Sequence, residues 1–81
     1  MEWTPRADRD RDRLEGATCA RILSALERYA ETGHGDVKRL RGYQPVSYRL
    51  RVGSWRVVFT VDHRAGVVAV VRVLPRGQAY R

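Results

Sequence analysis

The sequence predicts an α+β domain of order β-α-α-β-β-β, two N-terminal helices packed on one face of a mainly antiparallel, twisted sheet. Three observations predict it. Cys19, Ile22, Leu23, Leu26, Tyr29 and Ala30 recur at three- and four-residue spacing, which marks one apolar helix face. From Tyr48 the period becomes two: Tyr48, Leu50 and Val52 alternate with Arg49 and Arg51, then Trp55, Val57, Phe59 and Val61 with Arg56, Val58 and Thr60. Last, Val67 to Leu74 is a nearly continuous apolar run, the pattern of a strand at the sheet centre. At 81 residues the chain is read as one domain, 1–81, near the lower limit for an independent core.

Glu2-Trp3 ends a short first strand. Thr4 then serves as N-cap with Pro5 at the first helical position. The run from Arg6 to Arg13 alternates charge; as a helix it pairs Arg6 with Asp10, Asp8 with Arg11 and Asp10 with Arg13. Only Ala7 and Leu14 give it an apolar stripe, so it is expected to be marginal and poorly buried. Glu15-Gly16 separates it from the stronger helix, Ala17 to Glu31, which stops at Thr32-Gly33-His34-Gly35-Asp36. Val37 to Pro45 reads as a connection with little regular pattern. Gly53-Ser54 makes a two-residue hairpin turn between Tyr48–Val52 and Trp55–Val61. Asp62 to Gly66 is the next turn, and Pro75 ends the last strand.

The formal net charge is +7, and Lys38 is the only lysine. Guanidinium forks bind phosphate through two hydrogen bonds, where ammonium acts as a point charge. Cys19 stands alone, which excludes a disulfide framework and a cysteine metal cluster; on the apolar helix face it reads as a small buried hydrophobe. His34 and His63 lie in loops without a partner at metal-ligand spacing, so no metal and no cofactor are expected. No apolar run reaches the ~18 residues of a membrane helix. The charge-dense first residues do not read as a signal peptide, and the expected location is the cytoplasm.

The hairpin carries the chemistry. With Gly53-Ser54 as its central residues, Val52 faces Trp55 and Arg51 faces Arg56, and Arg49 shares the face of Arg51. Like charges directly opposed destabilise a ladder, so three arginines on one face mark an anion site, phosphate above all, or the docking place of an acidic partner. Trp55, Phe59 and Tyr48 sit on the apolar alternation and belong to the core. Arg76 leaves the last strand beside the arginine face, and Arg64 and Arg72 extend the patch or solvate an edge. A tail folded back across the face would bring Tyr80 as a stacking plane and a phenol for proton transfer.

Lys38-Arg39-Leu40-Arg41-Gly42, the hairpin Tyr48 to Phe59, and Val73-Leu74-Pro75-Arg76 with Tyr80-Arg81 resemble the RelE/ParE superfamily of type II toxin–antitoxin toxins. The resemblance spans essentially the whole chain and implies a compact, microbial RNase-type fold with a cognate antitoxin. In its RelE branch it implies metal-independent cleavage of mRNA in the ribosomal A site, with the RNA 2′-hydroxyl as nucleophile. Carried over by residue, Arg56, Arg76 and Tyr80 are the catalytic set, and Arg49, Arg51 and Arg72 bind RNA. Arg49 and Arg51 stand where RelE-type nucleases often carry lysines, and arginine is a poor general base. The ParE branch implies the alternative, inhibition of DNA gyrase without nuclease activity. A non-toxic interaction module is the third reading.

Overall fold

The structure, a computed structural model, describes residues 1–77. Its elements are β1 (Glu2–Trp3), α1 (Pro5–Asp12), α2 (Gly16–Thr32), β2 (Asp36–Arg39), β3 (Tyr48–Val52), β4 (Trp55–Asp62) and β5 (Val67–Pro75). The strands form one sheet in the order β1-β5-β4-β3-β2. All neighbours are antiparallel except β1 with β5. Both helices lie on one face, as the two periodicities predict. Among the described residues no helix is long and apolar enough to cross a membrane.

Two details differ from the sequence reading. Asp36–Arg39 forms a strand where a connection is expected, pairing with β3 from Asp36 opposite Arg51 to Arg39 opposite Tyr48. Only Val37 of this strand is partly covered, and charged residues occupy its other positions. A charged, short edge strand resists pairing with other chains, and the same charges hide it from a hydrophobic pattern search. In addition, β4 holds the sheet centre, while β5 lies between β4 and the two-residue β1.

The core is built from α2 and the inner strands. Ile22 and Leu26 of α2, Leu50, Val57, Phe59, Val70 and Val73 are buried together, with Ala7 from α1. Tyr29 and Tyr48 pack on Phe59 with ring centroids 5.2 and 5.6 Å away, so the aromatic alternation is core, as expected. A register shift at Val58/Phe59 pairs Val58 with Arg72 but Phe59 with Val70, leaving Val71 as the extra residue. This bulge lets Val70 and Val73, three apart, both serve the buried face.

The bulge also holds α1. Thr4 accepts from the Ala7 amide at 3.2 Å as N-cap, and its hydroxyl donates to the Val71 carbonyl at 3.2 Å. Its own amide donates to the Val70 carbonyl at 3.0 Å. Thr4→Ala removes both side-chain bonds at once. Loss of an N-cap costs about 1–2 kcal/mol, so unfolding should begin roughly 5–10 °C lower in a melt followed by circular dichroism. An unchanged melting temperature would refute this role for Thr4.

At the C-terminal end of α1 the expected Arg6–Asp10 pair is replaced by a longer connection. Asp10 accepts Arg72 Nε at 2.7 Å, Arg72 Nη2 at 3.2 Å and the Val73 amide at 2.9 Å. β1 reaches only Val70, so the Val73 amide lies on an open stretch of strand edge, and Asp10 closes it. The helix that looks marginal by its own pattern is therefore fastened at both ends to β5. The Asp8–Arg11 pair forms as the spacing predicts, at 2.6 Å, and Arg11 stacks over Trp3 at 4.5 Å from the ring centre.

Candidate functional site

The face opposite the helices is assembled by the Gly53-Ser54 turn. Gly53 has φ +57, a conformation that suits glycine and that the two-residue turn requires. The register it sets is the one read from the sequence, with Val52 opposite Trp55 and Arg51 opposite Arg56. Strand alternation then builds two rows across the sheet. Asp36, Arg51, Arg56 and Leu74 form the row nearer the turn, and Lys38, Arg49, Val58 and Arg72 form the next. Beyond the first row the Arg76 amide donates to the Ser54 carbonyl at 2.7 Å. That bond continues the β4–β5 pairing by one step and puts Arg76 beside the turn, in line with Arg56 and Leu74.

The cations differ in how they are held. Arg51 and Arg76 are exposed, with no ion-pair partner among the described residues. Arg56 is half-buried. The Arg49 side chain is only 11% exposed and its Nη1 donates to Asp36, to the carbonyl at 3.2 Å and to Oδ1 at 3.3 Å. The guanidinium is thus fixed in direction while its partner acid remains largely in solvent. Asp36 is an acid in the row nearer the turn, and its pairing with Arg49 lowers the repulsion within the rows. Val58 and Leu74, fully buried or nearly so, form an apolar floor between the charged positions.

Arg72 shares this face by register, yet its guanidinium is bound to Asp10 with side-chain exposures of 15% and 10%. It serves to join α1 to the sheet. Burial alone would raise the Asp10 carboxyl, but the hydrogen bonds from Arg72 and the Val73 amide, with the charges of Arg72 and Arg13, outweigh it and hold the carboxyl below its ordinary value. Tyr80 lies outside the described residues. Lys38 is the functional candidate the strand pattern does not reveal, because its strand lacks an apolar alternation. Its position two residues after Asp36 and directly opposite Arg49 brings it into the second row.

The described residues contain no group of three His, Cys, Asp or Glu side chains placed to hold a metal. The face can bind an extended anion, with guanidinium groups at successive positions and an apolar floor beneath them.

Residues 1–80 match the family described as the ParE toxin of the type II toxin–antitoxin system parDE. The chain belongs to this toxin family. The RelE/ParE resemblance read from the hairpin and the tail agrees with that membership. Solved structures similar to this ParE-family toxin include the archaeal RelE–RelB complex from Pyrococcus horikoshii OT3, at 24% identity and a TM-score of 0.77, over 96% of this chain and 94% of that one. The intact E. coli RelBE toxin–antitoxin complex is 22% identical with a TM-score of 0.74, over 96% and 95%. The toxin–antitoxin complex RelBE2 from Mycobacterium tuberculosis is 25% identical with a TM-score of 0.72, over 93% and 94%. No curated protein matches the toxin. The likeness to the first two structures carries the fold of this toxin: an α+β sheet with both helices on one side.

Proposed function

We propose that this ParE-family toxin is a metal-independent endonuclease that cleaves mRNA on the ribosome in the cytoplasm and is neutralised by a cognate antitoxin. The observation that supports this most is the opposition of Arg51 and Arg56 across β3 and β4, with Arg76 one step beyond. In the reaction the RNA 2′-oxygen bonds to the adjacent phosphorus and the bond from phosphorus to the 5′-oxygen breaks. The products are a 2′,3′-cyclic phosphate and a 5′-hydroxyl. Charge builds on the phosphoryl oxygens, and Arg56 and Arg76 stabilise it; Arg49 and Arg51 hold the flanking phosphates. Tyr80 assists the proton transfer or stacks on a base. The solved complexes of similar toxins with their antitoxins support an antitoxin as the partner that covers this chemistry.

The test is to express the wild type and Tyr80→Phe without antitoxin and map RNA 5′ ends. The wild type should arrest growth and leave new 5′-hydroxyl ends within coding regions, and Tyr80→Phe should lose them wholly or in large part. Growth arrest with intact message would overturn the nuclease reading. A second reading, inhibition of DNA gyrase, is favoured by the match to the ParE family. It predicts loss of supercoiling activity or DNA breaks in vitro, and indifference to Tyr80→Phe.

A further inference from the structure

The flank of α2 that faces the β2–β3 edge of the sheet carries cations that the arginine face does not include. Arg21, Ala25 and Arg28 recur at four- and three-residue spacing, so they share one side of the helix. Arg21 leans over the hairpin turn: a Cβ placed on Gly53 would lie 2.8 Å from its Nη2. Between this flank and the sheet runs an open groove of about 390 Å³. Ala25, Leu50 and Val52 form its floor, and Arg28 and Arg51 stand at its rim. Gly35 packs directly on that floor, since a Cβ there would come within 2.9 Å of Leu50 Cδ1. Strand β2 begins opposite Arg51, and no strand among the described residues pairs with β3 on that side beyond it. Arg51 therefore borders both the groove and the row nearer the turn. Arg21, Arg28 and Arg51 are exposed, with no ion-pair partner among the described residues. Asp36 is the acid of the lining, and Arg49 already engages its carboxylate at 3.3 Å.

We propose that this groove seats an acidic, partly apolar segment of the antitoxin, whose carboxylates pair with Arg21, Arg28 and Arg51. The inference rests on the reading of an antitoxin as partner, and adds where it docks and how it inhibits. An apolar floor between guanidinium groups suits a polypeptide that mixes acidic and aliphatic side chains. A nucleic acid fits it less well: apart from the His34 imidazole, the lining offers no ring for a base to stack on. Arg21 and Arg28, seven residues apart, lie about 10 Å from one another along the helix axis. Carboxylates about three residues apart in an extended segment, or about seven apart in a helix, match that distance. The consequence is regulatory. Arg51 stands opposite Arg56 in the phosphate row and also borders the groove, and its one guanidinium cannot hold a phosphate and a partner carboxylate together.

The experiment uses the full-length toxin, its cognate antitoxin, and a fluorescent 2′-O-methyl RNA nonamer whose blocked 2′-oxygens cannot act as nucleophiles. Arg21→Ala/Arg28→Ala should weaken antitoxin binding roughly tenfold, with a shallower salt dependence, and leave RNA binding within about twofold. Ser24→Glu places an acid in the groove lining at an exposed helical position, and should do the same. Arg51→Ala should weaken the binding of both ligands. The groove variants change exposed side chains, so they should melt with the wild type, which separates binding from folding. Antitoxin affinity like wild type in both groove variants would refute the docking site. Loss of RNA binding in them, with antitoxin affinity kept, would refute it too and give the groove to nucleic acid. If Arg51→Ala leaves antitoxin affinity unchanged, the shared guanidinium is refuted. If wild type binds the antitoxin but not the RNA, and the groove variants lose antitoxin affinity, the docking site stands and the RNA reading of the face falls.

Discussion

Asp10→Ala is expected to lower the stability of this toxin by about 3 kcal/mol, because it removes the carboxylate that pairs with the Arg72 guanidinium in a site largely closed to water. For a domain of this size that is a fall of roughly 15 °C in the midpoint of thermal unfolding. The same substitution leaves the Val73 amide without its acceptor at the open edge of β5 and frees the end of α1 from the sheet. Asp10→Asn keeps the shape and one acceptor, so its loss should be intermediate. The pH dependence follows from the direction of the shift. The folded carboxyl is held below its ordinary value, so it contributes stability above the unfolded carboxyl's value near 3.8, and that contribution disappears as pH falls through the folded value. The stability gap between wild type and Asp10→Asn in urea melts should therefore narrow as pH falls from 7 toward 3. A constant gap across that range would refute the ion pair as the source.

Arg56→Ala carries the largest expected effect on activity. In the nuclease reading Arg56 faces the charge that develops on the phosphoryl group, and loss of one such donor lowers a rate by about 10²–10³-fold. Arg56→Lys should recover only part of it, since ammonium keeps the charge but cannot offer two parallel donors to a phosphate. The measurement is single-turnover cleavage of mRNA on programmed ribosomes at saturating toxin. Equal rates for wild type and Arg56→Ala would remove Arg56 from the chemistry. A lysine variant as fast as wild type would reduce its role to that of a point charge.

The elements that the sequence makes legible are those whose signals are local. The apolar stripe of α2 and the alternation of β3 and β4 each lie within one element, and the two-residue turn converts that alternation into a cross-strand register. That is why Arg51 opposite Arg56 can be read directly from Val52-Gly53-Ser54-Trp55. What escapes is settled by partners far apart in the chain. Asp10 and Arg72 are 62 positions apart, and nothing in the alternating charges of α1 favours Arg72 over Arg6 as the mate of Asp10. β2 escapes because an edge strand with one half-covered valine has almost no apolar period. The candidate site divides the same way. Its arginines are legible, but the Asp36 that fixes Arg49, and the place of Lys38 beside it, depend on a strand the pattern does not reveal.

The hairpin has a further consequence for how this protein can change. Arg49 and Arg51 alternate with Leu50 and Val52, so the arginine-bearing surface and the buried surface are opposite sides of one ribbon, kept apart only by the parity of a two-residue turn. Adding or removing a single residue there would exchange the two sides, driving guanidinium groups toward Phe59 and turning leucine outward. Length variation, the usual route by which loops diversify a binding surface, is closed at this turn. The surface can diversify only by substitution at fixed positions, as in the exchange of arginine for lysine, whereas the β2–β3 loop remains free to vary in length.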